Sequence, residues 1–292
     1  MYELIQACGS SYYIQSPAKI GLVKLSDREV CLIDSGNDKD AGRRVRKLLD
    51  EQGWQLKAIC NTHANADHNG GNRYLQQQTG CRILAPGIDC AITRHPILEP
   101  AFLYGGYPVK ELRHKFLLSQ ESGAEYLTAE NVPGGMEIIP LPGHFFDMVG
   151  YRTGDDVVYL ADCLSSRETL EKHQISFIYD VAAYLETLEK VKAMEARLFV
   201  PAHAATTEDI KALAQENIDK VNEIAGRILE LCRQPMLFEH ILQRLFQTYS
   251  LTMDFEQYVL AGSTVRSYLS WLKESGQLEA IFDDGCLLWH RI

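Results

Sequence analysis

The sequence has no apolar run that approaches the ~20 residues needed to span a bilayer. Its start, Met1 to Ala7, contains Glu3 and shows no basic segment followed by a long apolar core, so no secretory leader is read there. It has no excess of Lys and Arg. Its 29 basic residues face 39 acidic ones, a formal net charge of −10, which opposes non-specific binding to nucleic acid or to an anionic membrane. It also has no C-x-x-C pair. The eight cysteines, Cys8, Cys31, Cys60, Cys81, Cys90, Cys163, Cys232 and Cys286, are scattered, and several lie in strand-like runs where free Cys packs as a small hydrophobe. They are expected as reduced thiols of a cytoplasmic protein. With 292 residues, 46% of them hydrophobic, the chain suits one large domain or a large one plus a small one. The expected partner is a small-molecule substrate, with neither nucleic acid nor membrane.

What is present is a dense polar stretch, Thr62-His63-Ala64-Asn65-Ala66-Asp67-His68-Asn69-Gly70-Gly71. It follows the apolar run Leu56 to Cys60, which reads as a buried strand. Gly70-Gly71 and then Asn72 to Gln78 read as a turn into a helix. The side chains of His63, Asn65, Asp67 and His68 therefore sit on a loop at the carboxyl end of a strand, where open α/β sheets place their sites. Imidazole and carboxylate together suit zinc or iron. The pattern recurs. His144 follows the strand-like Met136 to Pro140, Asp162 ends Val157-Val158-Tyr159-Leu160-Ala161, and His203 follows Leu198-Phe199-Val200-Pro201-Ala202. Four strand ends delivering His or Asp are hard to obtain by chance. Cys163 adjoins Asp162, but strand alternation points it to the opposite face. His95 and His114 lack the strand-end setting and are not expected as ligands.

On these residues the chain resembles the metallo-β-lactamase-fold hydrolases, and within them the glyoxalase-II-like branch. That family's pattern is an Asp after an early strand, His-x-His-x-Asp-His, then a His, an Asp and a final His. Here the matching residues are Asp34, His63, Asp67, His68, His144, Asp162 and His203, over roughly residues 1 to 230. One position departs: Asn65 stands where the cluster has its second His. The resemblance implies one metal site from His63, the position of Asn65, and His144, and another from Asp67, His68 and His203. Asp162 would bridge the two, and Asp34 would orient a ligand or the cluster loop from behind.

Short strands are expected at Met1 to Ile5, Ser11 to Ile14, Ile20 to Leu25 and Glu29 to Ile33, followed by a helix over Ala41 to Gln52. Further strands are expected at Arg82 to Ala85, Met136 to Pro140, Met148 to Thr153, Val157 to Leu160 and Leu198 to Val200. Helices are expected over Asp180 to Glu195 and from an N-cap at Thr206 or Thr207 to about Cys232. This rhythm fits an α/β fold, a four-layer αββα sandwich over residues 1–232. Residues 95–131 fit no βα unit and read as a partly helical cap over the pocket, or equally as a surface for a homodimer. Within it Tyr104 and Tyr107 are candidate substrate contacts, with plain packing as the competing role. Past Pro235, residues 233–292 read as two helical patterns, Met236 to Tyr249 and Phe255 to Glu274, and a hairpin of Gln277 to Phe282 with Cys286 to Arg291. They suggest a winged-helix-like module with Trp271 and Trp289 in its core. Its acidic balance favours packing or assembly over DNA binding.

An amide oxygen is a weaker zinc ligand than imidazole, so Asn65 puts the occupancy of its site in question. The expected cofactor is Zn2+, one or two per chain, with iron as the alternative. The expected activity is a metal-dependent hydrolase in which activated water attacks a thioester, lactone or ester, with Asp67 and Asp162 as the catalytic carboxylates. The competing activity is that of a mononuclear iron enzyme similar to the persulfide dioxygenases of this fold, which would use His63, His144 and Asp162. A non-catalytic metal-binding protein is the third reading.

Overall fold

The structure, a computed structural model, describes residues 2–292. Met1, included in the first expected strand, lies outside them. The chain opens with four antiparallel strands, β1 (Glu3–Cys8), β2 (Ser11–Gln15), β3 (Ile20–Lys24) and β4 (Glu29–Ile33). Helix α1 (Lys39–Gln52) then crosses to β5 (Gln55–Cys60), which pairs parallel to β4. The Asp38 side chain caps α1 by accepting from the Ala41 amide at 2.8 Å, a device that stabilises a helix by roughly 1 kcal/mol.

After β5 come α2 (Ala66–Asn69), α3 (Asn72–Thr79), β6 (Arg82–Ala85), α4 (Gly87–Arg94), α5 (Leu98–Tyr104) and β7 (Ala124–Tyr126). The first sheet is seven-stranded in the order β1 to β7. Strands β8 (Glu137–Pro140), β9 (Val149–Arg152) and β10 (Val157–Ser165) lead through α6 (Arg167–His173) and α7 (Val181–Lys192) to β11 (Leu198–His203). These four strands form the second sheet, in the order β11-β10-β9-β8. Helices α8 (Lys211–Leu231), α9 (Phe238–Thr248) and α10 (Phe255–Glu274) follow, with the strands β12 (Met236–Leu237), β13 (Leu278–Asp283) and β14 (Cys286–Arg291) forming a small antiparallel sheet.

Strand alternation sorts the side chains into layers. In β4, Val30 and Leu32 face α1 and α3, where they meet Val45, Leu49 and Leu75. Cys31 and Ile33 face the other way and meet Tyr151, Val157, Tyr159 and Val200 of the second sheet. The outer face of that sheet presents Val158, Leu160 and Phe199 to α7 and α8. Helix, sheet, sheet and helix are thus stacked as the strand rhythm implies. The same outer core continues without a break into α9 and α10 through Ile241, Leu245, Val265, Tyr268 and Leu272.

Several expectations need correction. The stretch 95–131 is not wholly an excursion, because its end forms β7, an edge strand paired parallel to β6. It therefore completes a crossover unit, which three short residues of strand did not announce. Helix α6 was not anticipated. Helix α8 starts at Lys211, later than expected: Thr207 pairs through its backbone with Phe199, and the Lys211 amide donates to Asp209 Oδ1 at 2.9 Å. Trp271 and Trp289 are half-buried at the edge of the core.

Candidate metal centre

The side chains singled out from the polar cluster and the later apolar runs meet beyond the carboxyl ends of β5 and β8, at the end of β11 and at Asp162 within β10. Two sets of donor atoms form there, each with all members within 4.8 Å of one another: Asp67, His68, Asp162 and His203, and His63, His144 and Asp162. Asp162 belongs to both. Its Oδ1 lies 3.0 Å from His68 Nε2. Its Oδ2 lies 3.2 Å from His203 Nε2 and 3.8 Å from His144 Nε2. Asp67 Oδ2 is 3.3 Å from His203 Nε2 and 3.6 Å from His68 Nε2. Cys163, next to Asp162, turns into the core beneath α7, and burial pushes its thiol far up.

Two of the histidines are held from behind. Asp34 is buried and has a left-handed backbone (φ 65°) that Asp tolerates better than most residues. Its Oδ1 accepts from the Thr62 amide at 2.8 Å, and its Oδ2 accepts from Thr62 Oγ1 at 2.7 Å and from His68 Nδ1 at 2.8 Å. Having donated its proton to Asp34, Thr62 Oγ1 accepts from His63 Nδ1 at 2.9 Å. One carboxylate therefore fixes the tautomers of two histidines, one in each donor set, and leaves both Nε2 lone pairs free to ligate. Asp89, fully buried, ties the cluster loop to the next one by accepting from the Ala64 and Asp147 amides, each at 2.8 Å. Burial, against those donors, pushes its carboxyl up to about 7. Gly143 (φ 118°) precedes His144, and a Cβ there would lie 2.3 Å from the Tyr184 amide nitrogen, so the loop reaches α7 only with glycine.

The electrostatics divide the site. Burial, reinforced by His68, drives His63 well below the usual imidazole range, and burial lowers His144. At His68 burial opposes the cation, but Asp162, Asp67 and Asp34 outweigh it and raise the pKa. Asp162 lifts His203 to about 10. Burial works against ionising Asp67 and Asp162, yet their histidines hold both as carboxylates. Buried and without a well-aligned hydrogen bond among the described residues are His63 Nε2, and His68 Nε2 and Asp162 Oδ1, which face each other at 3.0 Å. Orphaned buried polar atoms are costly. Converging from three elements in a nitrogen-and-oxygen donor set, they fit a transition-metal ion.

Asn65 Oδ1 faces His144 Nε2 at 3.2 Å, and its Nδ2 donates to Glu99 Oε1 at 2.6 Å. Thr62, Asp89 and Glu99 carry no sequence signal of their own. Thr62 was visible only as part of the cluster, and the other two lie in α4 and α5, outside any strand-end pattern. Tyr104 is partly exposed in a groove with Phe102, Tyr179, Ser267 and Trp271. Tyr107 is 73% exposed and stacks with Arg113. Among the described residues neither ring shares a hydrogen bond or an aromatic contact with the ligand set. His95 is exposed and His114 lies beside Glu256 at 3.4 Å, away from the site.

Comparison with known proteins agrees with this geometry. The profile of the Metallo-beta-lactamase superfamily matches residues 14–203. A hydroxyacylglutathione hydrolase of Nitrobacter hamburgensis is 28% identical over 131 residues, 42% of this chain and 39% of that protein. One of Methylococcus capsulatus is 41% identical over 56 residues, 16% of this chain and 22% of that protein. The matched stretches thus span about two fifths of these curated relatives or less. Among solved structures, a beta-lactamase domain protein from Burkholderia ambifaria superimposes with a TM-score of 0.78 at 16% identity, covering 99% of this chain and 94% of that one. A metallo-beta-lactamase family protein from Thermus thermophilus gives 0.73 at 16% identity, covering 100% and 98%. At such identity these two likenesses speak for the fold alone. Among the described residues no helix is long and apolar enough to cross a membrane.

Proposed function

This chain belongs to the metallo-beta-lactamase superfamily, and we propose that it is a metal-dependent hydrolase acting on a thioester of a small molecule, with lactones and esters as neighbouring substrates. The observation that carries the reading is the pair of donor sets sharing Asp162, each with a histidine oriented by Asp34. The partial relatives named as hydroxyacylglutathione hydrolases favour a thioester within the hydrolase class.

His63, His144 and Asp162 would hold one ion and Asp67, His68, His203 and Asp162 the other, with Asn65 offering its oxygen to the first. Zinc, one or two per chain, is the metal proposed, with iron as the alternative. Such an ion lowers the pKa of a coordinated water from ~15.7 to about 7 and polarises a carbonyl oxygen. The protein's own part is positional. Asp34 keeps two imidazoles in the ligating tautomer. Asp162, nearly buried, lies between the donor sets as their common carboxylate. Asp67 is partly exposed, ionised and held by His203, which places a carboxylate oxygen at the rim of the site.

One observation favours a second reading: His63, His144 and Asp162 close a two-histidine, one-carboxylate set without Asn65, a donor set suited to non-haem Fe(II). The two readings part at Asp67. In the hydrolase, Asp67→Ala abolishes thioester hydrolysis. In a mononuclear iron enzyme it spares activity, while His144→Ala removes it. Full activity in Asp67→Ala alongside loss in His144→Ala would overturn the hydrolase.

The C-terminal segment we read as a winged-helix-like module that packs rather than binds nucleic acid. Its α10 buries Val259 against Leu103, Leu112 and Leu117 of the stretch after α4. Arg266, one of its few cations, is stacked 3.8 Å over the Phe238 ring. A small-molecule partner and a cytoplasmic setting complete the proposal.

A further inference from the structure

Glu99 is 2% exposed, an acid in the first turn of α5, and the hydrogen bond to Asn65 Nδ2 at 2.6 Å is its carboxyl group's one partner among the described residues. Burying an acid for a single neutral hydrogen bond is unfavourable by ordinary packing standards, and a leucine or glutamine would fill the space at lower cost. The one group its carboxyl hydrogen-bonds among the described residues is the residue that departs from the family's ligand pattern. We infer that Glu99 is a positioning residue that turns the Asn65 carboxamide so that its oxygen, not its nitrogen, faces the His63–His144–Asp162 set.

The chemistry is one of donors and acceptors. A carboxamide offers an oxygen that can ligate a metal and an NH2 that cannot. The two ends are nearly the same shape, so the surroundings decide which one faces the site. Glu99 Oε1 accepts from the NH2, and in either protonation state of the acid a carbonyl oxygen is available to do so. With Nδ2 so engaged, Oδ1 is directed at His144 Nε2, 3.2 Å away. Asn65 itself sits at the N-cap position of α2 with extended backbone (φ −62°, ψ 143°) and makes no capping bond with its side chain, so its amide is free for this purpose. The pair would supply a neutral oxygen donor where the family's imidazole is missing. This inference rests on the two-metal reading above.

The test is metal titration of the full-length chain with Co(II), followed by the visible d–d band of each equivalent and by calorimetry. Glu99→Ala should weaken the second equivalent 10–100-fold, the usual range for loss of a residue that orients a ligand, and leave the first within about threefold. Glu99→Gln, which still accepts from Nδ2, should restore most of the loss. In an Asn65→His background, where an imidazole needs no such orientation, Glu99→Ala should no longer weaken the second equivalent. Equal weakening of both equivalents in Glu99→Ala, or a loss that persists with Asn65→His, would assign Glu99 to folding alone and overturn the inference. A wild-type chain that takes one equivalent at any Co(II) concentration would overturn Asn65 as a ligand and Glu99 with it. Two tight equivalents without thioester hydrolysis would sink the proposed function but leave the role of Glu99 standing.

Discussion

Replacing Asp34 by Asn exchanges one oxygen for an NH2 group, yet the hydrogen bonds around it predict loss of metal from both donor sets. Asn accepts the left-handed backbone of this position, so the loop need not move. Its amide has two orientations. With nitrogen in place of Oδ1, it would point at the Thr62 amide and the Asn61 side-chain NH2, 2.8 and 3.4 Å away. That opposes donors to donors, at roughly 1–3 kcal/mol for each buried group left unsatisfied. With nitrogen in place of Oδ2, it faces Thr62 Oγ1 at 2.7 Å and His68 Nδ1 at 2.8 Å. This orientation should win, because Thr62 can turn round to accept. The consequence passes on. His68 must then accept at Nδ1 and carry its proton on Nε2. Thr62, now accepting from the introduced amide, donates to His63 Nδ1 and forces the same tautomer there. Both Nε2 lone pairs are lost to the metal. Disruption of one orienting partner typically costs 10–100-fold in metal affinity, or about 1.4–2.7 kcal/mol, and here it reaches a histidine in each set. Competition titration with a chromophoric chelator should show both equivalents weakened by at least tenfold, and nitrogen NMR of the imidazoles should show the proton on Nε2. The apoprotein should remain folded. Wild-type affinity for both equivalents in Asp34→Asn would refute the reasoning.

Three further outcomes are expected. Protein purified without chelator should carry between one and two transition-metal ions per chain by elemental analysis, and its melting temperature should fall when they are removed, since an ion at a hundred times its Kd stabilises by about 2.7 kcal/mol; less than about a tenth of an equivalent after reconstitution would count against the site. Gly143→Ala should lower thermal stability by an amount corresponding to at least about 2 kcal/mol, because its Cβ would fall 2.3 Å from the Tyr184 amide nitrogen at φ 118°; an unchanged melt would show that the loop before His144 can move freely. The full chain should not bind duplex DNA in a low-salt titration, the most permissive condition for phosphate contacts, and tight salt-sensitive binding would reverse the reading of the C-terminal segment.

The candidate donor set was legible because its residues follow apolar runs, and the ends of such runs are marked by a change from apolar to polar that needs no tertiary knowledge. β4, β6, α10 and β14 match their expected limits for the same reason: each is bounded by turn or capping residues and carries an unambiguous period. β7 was missed because three residues, two of them exposed, give too short a pattern to read. α6 was missed because seven residues with only Leu170 buried carry almost no apolar period. Asp89 and Glu99 were illegible for a different reason. Their importance lies in contacts made across 25 and 34 residues of sequence, to Ala64 and Asn65, and nothing local distinguishes a buried acid from a solvated one.

Asp162 shows why naming a candidate residue can still conceal how that residue is placed. Along β10, Val158 and Leu160 face the helix-side core and Tyr159 faces the other sheet. Strict alternation would send Asp162 the same way as Leu160, into apolar packing beneath α7, where a carboxylate is costly. The strand avoids this at Ala161. That residue has a left-handed backbone (φ 50°), and the pairing with β11 slips between Tyr159 and Ala161. The irregularity adds a half-step, so that Ala161 joins the helix-side core, Asp162 swings out to the histidines and Cys163 returns to the core. A left-handed conformation costs a residue with a Cβ roughly 1–2 kcal/mol, and the structure retains it at the one place where the regular strand would bury the shared carboxylate. Strain of this kind collects at functional positions. At Ala161 it is what turns a run of apolar strand residues into the support for the carboxylate on which both donor sets depend.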